Sequence, residues 1–369
     1  MIAIVGAGPA GLAAALFLDR YQMPVHVFEG KRKGRPKVCG GFLNTNAFFL
    51  LDMIQATPVL EQVSKGEIKQ LALSTGQASQ SWDIPAIVYS LSRQEFDLRL
   101  WELCESRGIN ISEGENIREL FSEGNKVVVK TATGQSSADY AICADGMNSI
   151  AHPESLKKRN TAKRVGIQYI IKTSDLPAGV LALHFNGWGY MGTCSYQDEY
   201  FDFSAVVNMD RIPPDCRQPE SILQGFIHQD KLLGESLKNY QLVCAPKVVP
   251  KAFPHHCRNQ NPRIILAGDA KRFLEPFTGL GITYALASGV SAAARVLSAC
   301  HPDSGIRTEM SLLGEKIEKG IKSLISTNLM IAPILRNPPI ASLGANLLAG
   351  ARFPVNLMLK NLMKPRFSK

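Results

Sequence analysis

Several common devices are missing from this chain of 369 residues. No apolar run reaches the roughly 20 residues a bilayer span needs; Leu324 to Leu335 is shorter and carries Ser, Thr, Asn and Pro333. Met1 leads straight into Ile2-Ala3-Ile4-Val5, without a basic region, a long apolar core or a small-residue cleavage site, so the start reads as a strand and a cytoplasmic location is expected. The eight cysteines form no Cys-x-x-Cys pair and share no zinc-like spacing with histidine, which predicts reduced thiols and no metal. His255-His256-Cys257 resembles a ligand trio, but adjacent side chains of an extended segment point to opposite faces. No Ser/His/Asp constellation stands out, no second Gly-x-Gly-x-x-Gly exists, and the chain lacks internal repeats and low-complexity segments.

Charge is uneven. The net +9 gathers in Lys31 to Lys37, in Lys157-Lys158-Arg159 with Lys163-Arg164, and in a tail from Arg352 to Lys369 that has no acid. No aromatics interleave these runs as a base-stacking platform requires, so nucleic acid is not an expected partner. The tail mixes its cations with Phe353, Val355, Leu357, Leu359 and Leu362; it reads as a terminal helix packed on the body, with peripheral membrane contact or a partner helix as the other readings.

What is present is enough apolar mass, 45% of residues, for two packed regions. Residues 2–5, a glycine turn, a helix over 10–21 and a strand at 25–28 make a βαβ opening, the start of a doubly wound α/β sheet. Strands are expected at 68–75 and 84–91, a helix at 93–107, and short strands over 109–144. Strand signals dominate 164–250, at 165–172, 180–185, 200–208 and 240–249, before a buried strand at 264–267 and a helix over 279–299. The expected architecture is a discontinuous Rossmann-like domain (1–66, 91–160 and 250–304) with an inserted antiparallel β-sheet substrate domain (67–90 and 161–249). A helical region broken at Pro338-Pro339 and Pro354 occupies 305–369.

Gly6-Ala7-Gly8-Pro9-Ala10-Gly11 lies between a strand and a helix, where such a run builds a dinucleotide-phosphate site. Gly6 permits the turn, Gly8 lets backbone amides approach a pyrophosphate, Gly11 allows close helix packing, and the helix N-terminus faces the anion. Glu29 ends the second strand, where a carboxylate can hold both hydroxyls of an adenosine ribose. These residues alone do not separate FAD from NAD.

Two later segments carry a resemblance. Ala144-Asp145-Gly146-Met147-Asn148-Ser149 looks like the Asp-Gly motif, and Ala267-Gly268-Asp269-Ala270 like the Gly-Asp motif, of the p-hydroxybenzoate hydroxylase-like flavoproteins, in family order. The resemblance implies FAD, with Asp269 on the ribityl chain and Asp145 and Gly146 behind the pyrophosphate. The loop that follows, Pro276-Phe277-Thr278-Gly279-Leu280-Gly281-Ile282, together with Lys37-Val38-Cys39-Gly40-Gly41, is similar to the geranylgeranyl reductase-like branch. Arg93 matches an arginine that contacts FAD in many relatives. A glycine loop opening a helix can turn backbone N–H groups toward the flavin edge that gains negative charge on reduction.

Catalytic candidates are fewer: Cys39 in its glycine-flexed loop, His184 as an acid/base, and Trp188, Tyr190 and Tyr196 as an aromatic pocket lining. Since a flavin carries the difficult chemistry, no side-chain nucleophile is required. The resemblance implies an FAD monooxygenase acting on an aromatic group, with NAD(P)H or a separate reductase as electron donor. One variant matures tryptophylquinone cofactors, its substrate being a Trp side chain of a partner protein. Prenyl double-bond reduction, halogenation and a non-catalytic flavin-binding role are the alternatives. The reductase reading lacks the aromatic-rich Trp-x-Phe-Pro segment its branch places over the flavin, since Gly187 to Tyr196 departs from it, and the halogenase reading lacks a Trp-x-Trp-x-Ile-Pro segment and a placeable active-site lysine.

Overall fold

The computed structural model describes all residues except 76–78, 153–163, 198, 251–254, 336, 351–358, 361–362 and 368–369. The Lys157–Lys163 cluster and most of the basic tail therefore lie outside the described residues.

Four buried residues, Ile2–Val5, form the central strand of a five-stranded sheet. Val25–Glu29 and Tyr140–Cys143 flank it in parallel, Asn110–Glu113 extends one side, and Ile264–Leu266 closes the other. Apolar residues fill the first strand without alternation because both faces are covered, as parallel sheets require. The covering helices are Pro9–Asp19, nearly all of it buried, and Gly281–Cys300; their residues share one apolar core with Leu50, Leu51, Phe96 and Leu100. Gly281–Cys300 is long and apolar enough to cross a membrane, but 83% of its apolar window is buried in this core.

An eight-stranded sheet forms the second layer. Arg164–Lys172, Tyr200–Asn208, Gly189–Gln197 and Val180–Phe185 run antiparallel in that spatial order, and Gln70–Ser74 and Ser79–Asp83 complete the far edge. Ser79–Asp83 hides from a pattern search because its sequence, SQSWD, is mostly polar and half exposed. The expected strand over 84–91 is confined to Val88–Leu91, which pairs with Phe42–Asn44 and Ser64–Glu67 in a small separate sheet. Within the stretch where strand signals dominate, Pro219–Gln229 and Lys231–Ser236 are helices. Ile222, Leu223, Phe226 and Ile227 of the first give it an apolar stripe at helical spacing, which packs under the sheet against Tyr169, Met191 and Phe203. The expected strand at 240–249 is two fragments, Gln241–Leu242 and Lys247–Pro250, both paired with Arg164–Lys172. Helices Gly305–Leu335 and Pro338–Gly350 follow, and beyond them Leu359 and Phe367 are buried against the body; Pro333 stands inside the first helix, and Pro338 opens the second, a position that needs no backbone donor.

Candidate active site

The glycine turn is built as a phosphate loop. Gly6 has φ +100°, and a Cβ there would stand 2.6 Å from the Ala144 carbonyl oxygen, while a Cβ on Gly11 would stand 1.9 Å from the Gly6 oxygen. Only glycine lets strand, turn and helix approach so closely. At Gly8 the surroundings are open: the nearest atom to a Cβ is Lys37 Nζ, at 3.6 Å. No side chain caps the helix that starts at Pro9, so its first amides and Lys37 together present positive charge over Gly8. Glu29 is drawn toward this loop, its Oε2 accepting from the Ala7 amide at 2.8 Å and its Oε1 from the Lys31 amide at 2.8 Å. It lines a cleft with Ala7, Lys37, Asp97 and Trp101.

Lys37 and Arg93 converge on Asp97, at 2.9 Å and 2.6 Å. Burial alone would raise Asp97, but the two cations hold its carboxyl below the ordinary range. Arg93 also reaches the Cys39 sulfur. Asp269 behaves differently. Burial lifts it to about 6, against the pull of Arg93 and Lys37, and no hydrogen-bond donor among the described residues reaches its carboxylate. Asp145 likewise keeps one buried oxygen, Oδ1, without a partner among the described residues, while Oδ2 accepts from the Ile150 amide at 2.8 Å; burial raises its pKa. Gly146 beside it takes φ +86°.

These features fit FAD. Asp269 would offer its undonated carboxylate to ribityl hydroxyls, the amides at Gly8 with Lys37 would face the pyrophosphate, and Glu29 would meet the adenosine ribose. At the ring end, Gly279 takes φ +62°, and its missing Cβ makes room for the Phe42 ring. Nothing lies within 4 Å of a Cβ at Gly281, and Leu280 supplies no side-chain cap, so the N-terminus of Gly281–Cys300 is open at Gly281, with Ile282 buried beside it. Ala10 packs beneath, close enough that a Cβ on Gly268 would stand 2.9 Å from its methyl group. Gly40 lies in the irregular stretch before Phe42.

The loop from Pro276 to Gly281 is tied to the second layer by Tyr190 and by residues the sequence left unassigned, Glu275, Arg164 and Asn328. Glu275, fully buried, accepts from Arg164 in a two-pronged pair, at 3.0 and 2.8 Å, and from the Tyr190 hydroxyl at 2.7 Å. Tyr190 in turn accepts from the Phe277 amide at 3.1 Å. Asn328, on the long helix, bonds both the amide and the carbonyl of Glu275 and donates to Thr278 Oγ1. The carboxylate explains why Arg164 keeps its charge despite burial, and desolvation beside it drives Tyr190 well above an ordinary phenol.

Strand register sorts the remaining candidates. Tyr190 pairs with Phe185 and His184 with Met191, and successive residues alternate, so His184 and Tyr190 lie on opposite faces of the sheet. His184 is buried on the outer face, bonded to Asp230 at 2.8 Å and Thr193 at 3.3 Å, so its place as a flavin-side acid/base is corrected to a structural contact. Trp188 is corrected in the same way: it packs with the Pro219–Gln229 helix, where Gly225 leaves room for its ring. Tyr196 belongs to the strand Gly189–Gln197. His255 and His256 pair as a short strand with Arg272–Phe273, and His255 bonds the Asp269 carbonyl.

On the inner face, register places Gln168, Asp202 and Ser204 with Tyr190. Gln168 Nε2 donates to the Cys39 carbonyl at 2.9 Å and to Asp202, and Ser204 donates to Asp202 at 2.6 Å. The Gln168 Oε1 is buried and has no partner among the described residues. Burial pushes Asp202 up to about 7, with Ser204, Gln168 and Lys247 opposing. The loop of Cys39 and the second layer therefore meet at a carboxyl able to exchange protons near neutrality. A polar residue in an alternating strand was the available signal, but its face is set by register alone.

A Rossmann-like layer with this loop, ribose carboxylate and pair of aspartate motifs defines an FAD-binding oxidoreductase. Residues 1–300 match the family model described as FAD binding domain, and the chain belongs to that family, within the p-hydroxybenzoate hydroxylase-like flavoproteins. It is 26% identical over 355 residues to the protein FixC of Escherichia coli (strain K12), covering 86% of this chain and 81% of FixC. Among solved structures, a flavoprotein/dehydrogenase from Cytophaga hutchinsonii shares the fold with a TM-score of 0.74 at 16% identity, covering 98% of this chain and 96% of that one. The halogenase PltM, solved with phloroglucinol and FAD, does so at 0.72 and 15%, covering 89% and 74%.

Proposed function

We propose that this FAD-dependent oxidoreductase is a monooxygenase that hydroxylates a phenol-like aromatic group. The observation that carries the reading is Asp202, a buried carboxyl raised to about 7 on the sheet face that meets the Cys39 loop. Bound FAD, once reduced, supplies electrons to oxygen. Asp202 takes the proton of a substrate hydroxyl, which makes the ring electron-rich, and the free Oε1 of Gln168 accepts a hydrogen bond from the same substrate edge. Phe185, Tyr190 and Phe277 form an apolar wall, with the Tyr190 and Phe277 rings 5.4 Å apart, that keeps water from the reacting centre. The binding of phloroglucinol, an electron-rich ring, by PltM is consistent with such a substrate.

A second reading has one specific support: a carboxyl of this pKa could equally donate the proton that completes reduction of an isoprenoid double bond. The two separate in one experiment. FAD-loaded protein is supplied with NADPH and a panel of phenols and indoles, and oxygen uptake is followed between about pH 5.5 and 8.5. The monooxygenase reading expects uptake stimulated by a phenol, rising through about pH 7, with the rise abolished in Asp202→Asn. Anaerobic reoxidation of the reduced flavin by a prenyl chain, without phenol-stimulated uptake, would overturn it.

A further inference from the structure

The end of Gly305–Leu335 and the helix Pro338–Gly350 expose a set of large aliphatic side chains. In Pro338–Gly350, Ala341 and Ala345 turn inward and share an apolar cluster with Leu71, Leu73, Leu183 and Phe185 of the eight-stranded sheet. The outward residues are Ile340, Leu343 and Leu347, at 51%, 61% and 66% exposure and at helical spacing. Exposed aliphatic residues in such a row mark a surface made for contact rather than scattered exposure. The end of Gly305–Leu335 adds Leu329, Met330 and Ile334, Met330 being 78% exposed, while Ala332 and Leu335 turn inward.

Charge identifies what covers this face. Glu318 is the last acidic residue of the chain; residues 319–369 contain eight Lys or Arg and no Asp or Glu. Protein interfaces are enriched in Trp, Tyr and Arg anchors, and their rims complement a partner's charges. The exposed residues here are aliphatic, and the sequence around them carries one sign of charge over fifty residues. Aliphatic residues inserting at the acyl boundary while cations meet headgroups is the chemistry of a surface-lying helix on anionic lipid. Neither helix is an uninterrupted apolar span, since Pro333 breaks the first and the second has only 13 residues.

We infer that the hairpin formed by the end of Gly305–Leu335 and by Pro338–Gly350 docks the protein on the surface of an anionic membrane, with Leu329, Met330, Ile334, Ile340, Leu343 and Leu347 as the inserting residues. The contact is independent of which reaction the flavin site performs. It places the covering of the Phe185–Tyr190–Phe277 wall at the lipid boundary, because Pro338–Gly350 lies on that same apolar cluster.

The test uses the full FAD-loaded chain and sedimentation with phosphatidylcholine vesicles, with and without phosphatidylglycerol. Wild type is expected to sediment with the phosphatidylglycerol vesicles and to be released by high salt. The triple variant I340S/L343S/L347S, altered only at exposed positions, is expected to bind at least about ten-fold more weakly while keeping the wild-type flavin spectrum and melting temperature. Wild type left in the supernatant, or a triple variant that sediments equally well, would overturn the inference. So would light scattering that shows a wild-type dimer, a monomeric variant and no vesicle binding by either, since the face would then join two copies of the chain.

Discussion

Replacing Glu275 by Gln keeps the shape of the side chain and removes its charge, leaving the Arg164 guanidinium buried opposite an amide. Arg164 is 10% exposed and Glu275 0%, so solvent cannot take over the lost partner. Removing one member of such a pair costs about 3–5 kcal/mol, and at roughly 2 °C per kcal/mol for a large domain the melting temperature should fall by about 6–10 °C. The defect should extend to the cofactor, because the same carboxylate fixes Tyr190, which accepts from the Phe277 amide in the loop that leads to Gly279. Differential scanning fluorimetry of apo and FAD-loaded protein, read together with released flavin fluorescence, measures both effects. The double variant Arg164→Met/Glu275→Leu sharpens the test: an apolar pair of similar volume should restore most of the melting temperature but not the grip on FAD. A single Glu275→Gln variant that melts within 1–2 °C of wild type and releases FAD no faster would refute the argument.

Asp269 predicts a pH dependence. Its folded pKa, about 6, exceeds that of an unfolded aspartate, so the apo protein gains stability as pH falls through 6. FAD hydroxyls favour the ionised form, so FAD affinity should be full above about pH 6 and weaken toward ten-fold per unit below it, a slope that Asp269→Asn removes. Isothermal titration at several pH values checks this, and a flat wild-type profile would contradict it. The two glycines separate fold from cofactor: Gly8→Leu, in open space, should cost FAD affinity at least about 100-fold with little loss of stability, whereas Gly11→Ala, with a Cβ 1.9 Å from a carbonyl, should destabilise the apo protein. Equal melting of the two apo variants would defeat that distinction.

The FAD half was legible because its signals are local. Gly6 to Gly11, Glu29, Asp145 and Asp269 each sit at a strand end in a short motif whose residue types the backbone geometry demands. The substrate layer was legible only as strands. Arg164, Gln168, Asp202 and Glu275 come from segments up to 111 residues apart, as in the Arg164–Glu275 pair, and no local spacing encodes that they meet. His184 and Tyr190 looked equivalent as candidates; a two-residue period on paired strands puts them on opposite faces, and register is a property of the pairing rather than of either sequence. The short helices at 219–236 were missed because β-branched and aromatic residues around them outweighed one apolar stripe.

The order of strands in the first sheet has a consequence for synthesis. Ile264–Leu266 pairs with Tyr140–Cys143, and the helix Gly281–Cys300 shares its core with the opening helix Pro9–Asp19, so the nucleotide layer made from the first residues waits for residues near 300 before its apolar faces are covered. A chain emerging from the ribosome must carry that half-built layer across the whole substrate region. Long-range parallel pairing of this kind is slow and exposes sticky surface in the interval. Chains cut short anywhere before residue 281 should therefore aggregate rather than yield a smaller flavin-binding protein, and chaperone demand during translation should be greatest just before that helix appears.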